Sequence, residues 1–181
     1  SSIAENAGSS ITVTATLSFA TIINTTVVLD TSGTGTEGTD YGTISDITIT
    51  AGSTTGTATF TPTDDTVYEG NETAIISIAS ITGANSGSTT SQTITITEND
   101  STPVVTLATS ATSIAENAGS SLTLTATLSN ATTANVTVTL STSGTGTEGT
   151  DYSTISDITI SAGATTGTVS FTPTDDNVYE G

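Results

Sequence analysis

The run Ile11-Thr12-Val13-Thr14-Ala15-Thr16-Leu17 alternates apolar and hydroxyl side chains without a break. Successive side chains of a strand point to opposite faces, so this pattern buries Ile11, Val13, Ala15 and Leu17 and turns the threonines outward. A helix would scatter the same residues around its circumference. The rule holds outward along the chain. Val27 and Leu29, Ile47 and Ile49, Ala58 and Phe60, Ile76 and Ile78, and Ile94 and Ile96 all keep the spacing of two, between clusters of Gly, Ser, Asn and Asp. About six or seven such strands in roughly 100 residues predict an antiparallel β-sandwich of the immunoglobulin-like kind. With 49 Thr and 17 Gly among 181 residues, the composition is that of an all-β protein.

The pattern occurs twice. Ser2-Ile3-Ala4-Glu5-Asn6-Ala7-Gly8 returns as Ser113-Ile114-Ala115-Glu116-Asn117-Ala118-Gly119, and the offset of 111 residues holds without a gap to Gly70 and Gly181. Of those 70 aligned pairs, 55 are identical. A period this long denotes an array of whole domains rather than a solenoid of small repeats. The boundary falls at Ser101-Thr102-Pro103, because proline suits the start of a strand after a short linker. The expected organisation is a first sandwich over 1–101, a linker at 102–103 and a second sandwich over 104–181, opening with Val104, Val105 and Leu107. The counterpart of that opening strand lies before residue 1, and the counterparts of Ile76 and Ile94 lie after residue 181. The chain also begins without Met, so an internal window of a longer array is expected, with strand exchange between chains as the alternative.

Charge narrows the partners. Lys, Arg, His, Cys, Met and Trp are all absent, and 18 carboxylates give a formal net charge of -18. Such a chain has no cation to displace phosphate counterions and is not expected to bind nucleic acid, nor to be drawn to an anionic membrane surface. No apolar run is long enough to insert into a membrane. Without His, Cys or Lys there is no obvious base or nucleophile, and no aromatic platform flanks the carboxylates, so an enzyme is not expected. The lack of Lys also excludes lysine–asparagine crosslinks as a source of stiffness. Metal cations remain.

The carboxylates gather where strands end. Glu5, Asp40, Asp64, Asp65, Glu69, Glu72, Glu98 and Asp100 all fall at turns or strand termini, four of them within Asp64-Asp65-x-x-x-Glu69-x-x-Glu72. Loops at one end of a sandwich converge in space, so these groups would repel one another unless a cation joined them. Oxygen-only donors in this number suit Ca²⁺, which takes six to eight, better than Mg²⁺, which keeps its waters. The second repeat carries Glu116, Asp151, Asp175, Asp176 and Glu180 at the same places. Asp30, Glu37 and Asp46 stand outside the cluster and read as solvated surface charges. Tyr41 and Tyr68 read as anchors of the acidic loops.

Those loops carry a resemblance. Glu5, Gly38-Thr39-Asp40-Tyr41, the Asp64-to-Glu72 loop and the closing Thr97-Glu98-Asn99-Asp100 resemble the ligand-bearing positions of Calx-beta domains. These are the calcium-binding sandwiches of sodium/calcium exchangers and of many bacterial surface proteins. The resemblance implies that the carboxylates are calcium ligands and that Val67, with Val178 as its repeat, offers a backbone carbonyl. Asn99 departs from the more acidic pattern of the strongest sites. It further implies a calcium-stiffened repeat of a long extracellular adhesin or surface filament, with neighbouring repeats and identical chains as partners. Two alternatives stay open: a calcium-sensing regulatory domain of an exchanger-like membrane protein, and ice or carbohydrate binding through faces such as Thr12-x-Thr14-x-Thr16.

Overall fold

The computed structural model describes residues 1–178 and divides into two compact units, Ser1–Asp65 with Glu69–Asn99, and Thr66–Tyr68 with Asp100 onward. The first unit contains β1 (Ser2–Ala4), β2 (Ile11–Thr16), β3 (Thr25–Gly33), β4 (Ile47–Ile49) and β5 (Thr55–Phe60). After β6 (Val67–Tyr68), which groups with the second unit, it adds β7 (Glu72–Thr82) and β8 (Ser91–Thr97). One sheet has the order β1-β8-β7-β3-β4, and β2 pairs with β5 in the other. The period-two residues do what alternation demands: Val27, Ile47, Ile49, Ala58, Phe60, Ala74, Ile76, Ile94 and Ile96 are buried between the sheets. The threonines between them on β2 and β5 face solvent.

Close backbone approach fixes two details. Gly33 lies at φ 126, and a Cβ there would sit 2.1 Å from the Thr73 carbonyl oxygen. Gly56 lies over β4, where a Cβ would meet the Thr48 carbonyl at 2.7 Å. Only glycine fits at either place.

In the first unit the strands pair antiparallel except β1 and β8, which run parallel in the register Ser2↔Thr95, Ile3↔Ile96 and Ala4↔Thr97. Both strands here run toward the same end of the sandwich, so their next residues, Glu5 and Glu98, emerge as neighbours. Glu5 N–H confirms the register by donating to Thr97 O at 3.0 Å.

The second unit contains β9 (Val105–Thr109), a 3-10 turn at Glu116–Ala118, β10 (Leu122–Leu128), β11 (Ala131–Thr132), β12 (Val136–Val138), β13 (Ile158–Ile160) and β14 (Thr166–Phe171). Its sheets are β14-β10-β9, β12-β13 and the short parallel pair β11-β6. Ala126, Leu128, Ile158 and Ile160 form its buried cluster. This cluster is smaller than that of the first unit, which also draws Ala74 and Ile76 from β7 and Ile94 and Ile96 from β8. Among the described residues no helix is long and apolar enough to cross a membrane.

Candidate metal centre

Four segments meet at one end of the first sandwich. The first is the residue after β1, Glu5. The second is the turn over residues 36–42, stapled to the chain after β5 by Gly42 N–H to Thr61 O (2.9 Å) and Thr63 N–H to Asp40 O (3.0 Å). Tyr41 anchors that turn: it is 1% exposed and lies against Phe60 with ring centroids 4.9 Å apart. The third segment is the acidic loop before β7, and the fourth is the end of β8.

Within the first unit their carboxylates form two overlapping triads that share Glu69. Oxygens of Glu5, Asp65 and Glu69 lie within 4.8 Å of one another, and so do oxygens of Asp40, Glu69 and Glu72. Glu69 belongs to both. Glu5 and Asp40 are buried, at 7% and 8% exposure, Glu69 and Glu72 are half-buried, and Asp65 is exposed. Backbone donors orient part of the set. Asp65 N–H donates to Glu5 Oε1 at 3.2 Å, and Thr36 N–H donates to Asp40 Oδ2. Glu98 Oε2 accepts from Glu69 N–H at 2.7 Å and Gly70 N–H at 2.9 Å, so it grips the acidic loop from the end of β8.

The electrostatics are those of a site built for a cation. Burial, followed by the charges of Glu98, Asp65 and Glu69, pushes Glu5 up to about 7, although the Asp65 N–H pulls the other way. Burial and the charges of Asp40 and Glu69 push Glu72 up to about 7, helped by a hydrogen bond with Asp40. Glu69 is raised by burial and by Asp40, Asp65 and Glu98. No Lys, Arg or His exists in the chain to offset this charge. Carboxylates held this close without a counter-ion keep protons that water would otherwise take. An oxygen-only set with several carboxylates fits a hard divalent cation, and its number of donors fits Ca²⁺.

Asp64, Val67 and Asp100 are not members of these two triads. Asp64 is exposed, and its Oδ1 accepts from Asn99 Nδ2 at 3.3 Å, so the asparagine that departs from the acidic pattern serves as a brace. Val67 and Tyr68 form β6 of the second unit, pairing with β11. Asp100 begins the second unit.

In the second repeat, Asp176 N–H donates to Glu116 Oε1 at 3.1 Å and Thr147 N–H donates to Asp151 Oδ2, repeating the bonds of Glu5 and Asp40. Asp176 Oδ1 also accepts from Val178 N–H at 2.6 Å, and Asp175 is exposed. Glu180 lies outside the described residues. Among the described residues no carboxylate triad forms there. Residues 112–181 hold no counterparts of Glu72 and Glu98, which complete the first apex.

Two carboxylates read as solvated charges have structural work instead. Glu37 accepts Ile44 N–H at 3.0 Å and the Thr31 hydroxyl at 2.6 Å, and Asp46 accepts Leu29 N–H at 3.0 Å. Glu148 and Asp157 make the same backbone bonds to Ile155 and Leu140. The signal was present in the repeat: both acids are retained in the second copy, whereas Asp30 is replaced by Ser141.

The family model of the Calx-beta domain matches residues 2–100 and again residues 98–181. The chain belongs to the Calx-beta domain family. The two Calx-beta matches together cover nearly all of it and overlap at Glu98–Asp100, the closing acidic residues of the first match. Among solved structures, CBD12 from CALX1.2 is similar over 98% of this chain and 73% of its own, at 18% identity and a TM-score of 0.49. The calcium binding domain CBD12 of CALX1.1 is similar over 97% and 73%, at 17% identity and a TM-score of 0.49. A search of curated proteins finds no match.

Proposed function

We propose that this chain is a calcium-responsive Calx-beta module whose first acidic apex binds Ca²⁺ and becomes ordered by it. The observation that supports this most strongly is the pair of carboxylate triads sharing Glu69. Glu5, Asp40, Asp65, Glu69 and Glu72 would supply the central oxygens. Glu98 would hold the loop in place. Asp64 and the Val67 carbonyl are peripheral candidates. In the second repeat Glu116, Asp151, Asp175, Asp176, Val178 and Glu180 are the corresponding candidates.

The bound ion would supply positive charge at the centre of the apex. The chain's own residues do the rest: Glu98 clamps the loop through two backbone N–H groups, and Tyr41 holds the Asp40 turn against the core. Four segments that repel one another without the ion would then be drawn together. That makes the apex an element whose order follows calcium concentration, which is what a calcium-sensing regulatory domain requires. The name of one similar solved structure, a calcium binding domain, accords with this reading at least as well as with a stalk.

The second reading, a calcium-stiffened repeat of an extracellular adhesin or filament, draws on one observation. The two repeats share 55 of 70 aligned residues, as expected where many interchangeable spacers are needed. Calcium binding is common to both.

Thermal unfolding tests it. At free calcium a thousandfold above the dissociation constant, binding to the native state alone adds about 4 kcal/mol. Calcium is expected to raise the first transition, magnesium to raise it less, and chelator to reverse both. Equal melting in calcium and chelator would refute the proposal.

A further inference from the structure

The ladder between β3 and β7 ends at the pair Gly33↔Ala74. Gly33, at φ 126, carries the chain closely over Thr73, and past that point side chains take over from the backbone ladder. Thr73 N–H donates to Thr34 Oγ1 at 2.9 Å, Thr34 N–H donates to Thr73 Oγ1 at 3.3 Å, and the two hydroxyl oxygens lie 3.4 Å apart. Gly35 N–H adds a bond to Thr73 O at 3.0 Å. These contacts seize the residue next to Glu72 where regular strand pairing has already stopped. Glu72 itself lies close over Gly35, where a Cβ would meet its Oε2 at 3.2 Å.

Two residues further on, the same segment holds Asp40. Thr36 N–H donates to Asp40 Oδ2, and Asp40 N–H donates back to Thr36 O at 2.9 Å. Asp40 and Glu72 are the two members of the second triad that Glu69 joins. Residues 34–36 therefore refer both carboxylates to one short piece of backbone. Thr34 is exposed, and hydrogen bonds that water can replace add little to folding. What they supply is position. We propose that Thr34 is a positioning residue for Glu72 and thereby sets the preference of the apex for calcium over magnesium.

This rests on the calcium reading of the apex and goes one step beyond it. Calcium draws about six to eight oxygens around itself, so each protein ligand has to stand in its place. Magnesium keeps several waters and needs only one or two carboxylates. Loosening Glu72 therefore costs calcium more than magnesium. Groups that stand behind a metal ligand commonly govern about ten- to hundredfold in affinity. Thr34 acts at one remove, through Thr73, so the lower end applies.

Titration calorimetry of the whole chain with calcium, and with calcium over a magnesium background, tests the proposal. Thr34→Val keeps the shape of the side chain and removes the acceptor of Thr73 N–H. In chelator it should melt like the parent, because water replaces an exposed acceptor. It should bind calcium about tenfold more weakly and magnesium as the parent does, so the ratio of the two affinities falls by nearly the same factor. Thr34→Ser returns the oxygen and should restore both values. Thr73→Val removes the 3.3 Å bond, leaves the 2.9 Å one, and should weaken calcium less than Thr34→Val does. If Thr34→Val melts far below the parent, Thr73→Val decides by the same ratio. A parent that binds no calcium would overturn the reading of the apex and the proposal together. With the parent binding, a Thr34→Val chain that holds calcium as tightly, loses both metals by one factor, or is not rescued by serine would overturn the proposal alone.

Discussion

Replacing Glu69 by Gln removes one charge from both triads while keeping the side chain's size. Its consequence should change sign with calcium. Glu69 offers an oxygen within 4.8 Å of oxygens of Glu5, Asp65, Asp40 and Glu72. Two like charges at that distance repel by about 3.5 kcal/mol at an effective dielectric constant near 20, before water and salt screen them. Asp65 is exposed, and Glu5 and Glu72, pushed up to about 7, are partly protonated at neutral pH. A net gain of about 1 kcal/mol for the metal-free variant is therefore a reasonable scale, which raises the melting temperature by about 4–8 °C for a domain of this size. With calcium present the same substitution removes a ligand from both triads. A ten- to hundredfold loss of affinity would take away about 1.4–2.8 kcal/mol of binding stabilisation. Differential scanning calorimetry in chelator and in excess calcium should thus show Glu69→Gln melting above the parent in the first buffer and below it in the second. A shift of the same sign in both buffers would refute the idea that mutual repulsion is what the ion relieves.

Four further outcomes follow from the geometry. In chelator, stability should fall as pH rises from about 4.5 to about 7, because folded Glu5 and Glu72 keep protons that the unfolded chain has already lost. Calcium displaces those protons, so its apparent affinity should weaken as pH falls through 7, measured by titration calorimetry in two buffers of different ionisation heat. Gly33→Ala drives a Cβ to 2.1 Å from the Thr73 carbonyl at a positive φ and should cost about 2 kcal/mol or more in denaturant unfolding. Glu37→Ala strands the Ile44 N–H and the Thr31 hydroxyl and should cost about 1–3 kcal/mol, while calcium affinity at the apex stays within twofold of the parent.

Much of this was legible in the residues because sandwich strands carry a short-range signal. The alternation from Ile11 to Leu17 and its echoes at Val27, Ile47, Ala58, Ile76 and Ile94 gave the strands their buried faces, and the structure buries those faces together. The acidic apex was legible as a class, since every loop contributing to it carries carboxylates. Its internal arrangement was not. The parallel pairing of β1 with β8 sets Glu5 beside Glu98, yet it joins segments from opposite ends of the repeat and leaves no mark in local spacing. Whether an acid faces a cation site or a backbone N–H depends on turn geometry, so Glu37 and Asp46 looked like surface charges although each accepts a backbone N–H. The place of Val67–Tyr68 in the second unit was hidden for a further reason: a two-residue strand has no period to read.

Anomalous diffraction from crystals grown with calcium, or with terbium in its place, tests the central claim most directly. The account predicts at least one ion in the first repeat, coordinated at about 2.3–2.6 Å by oxygens of Glu69 and of at least two among Glu5, Asp40, Asp65 and Glu72. A saturated crystal with no peak among those residues, or with its ions only on isolated surface carboxylates, would contradict it.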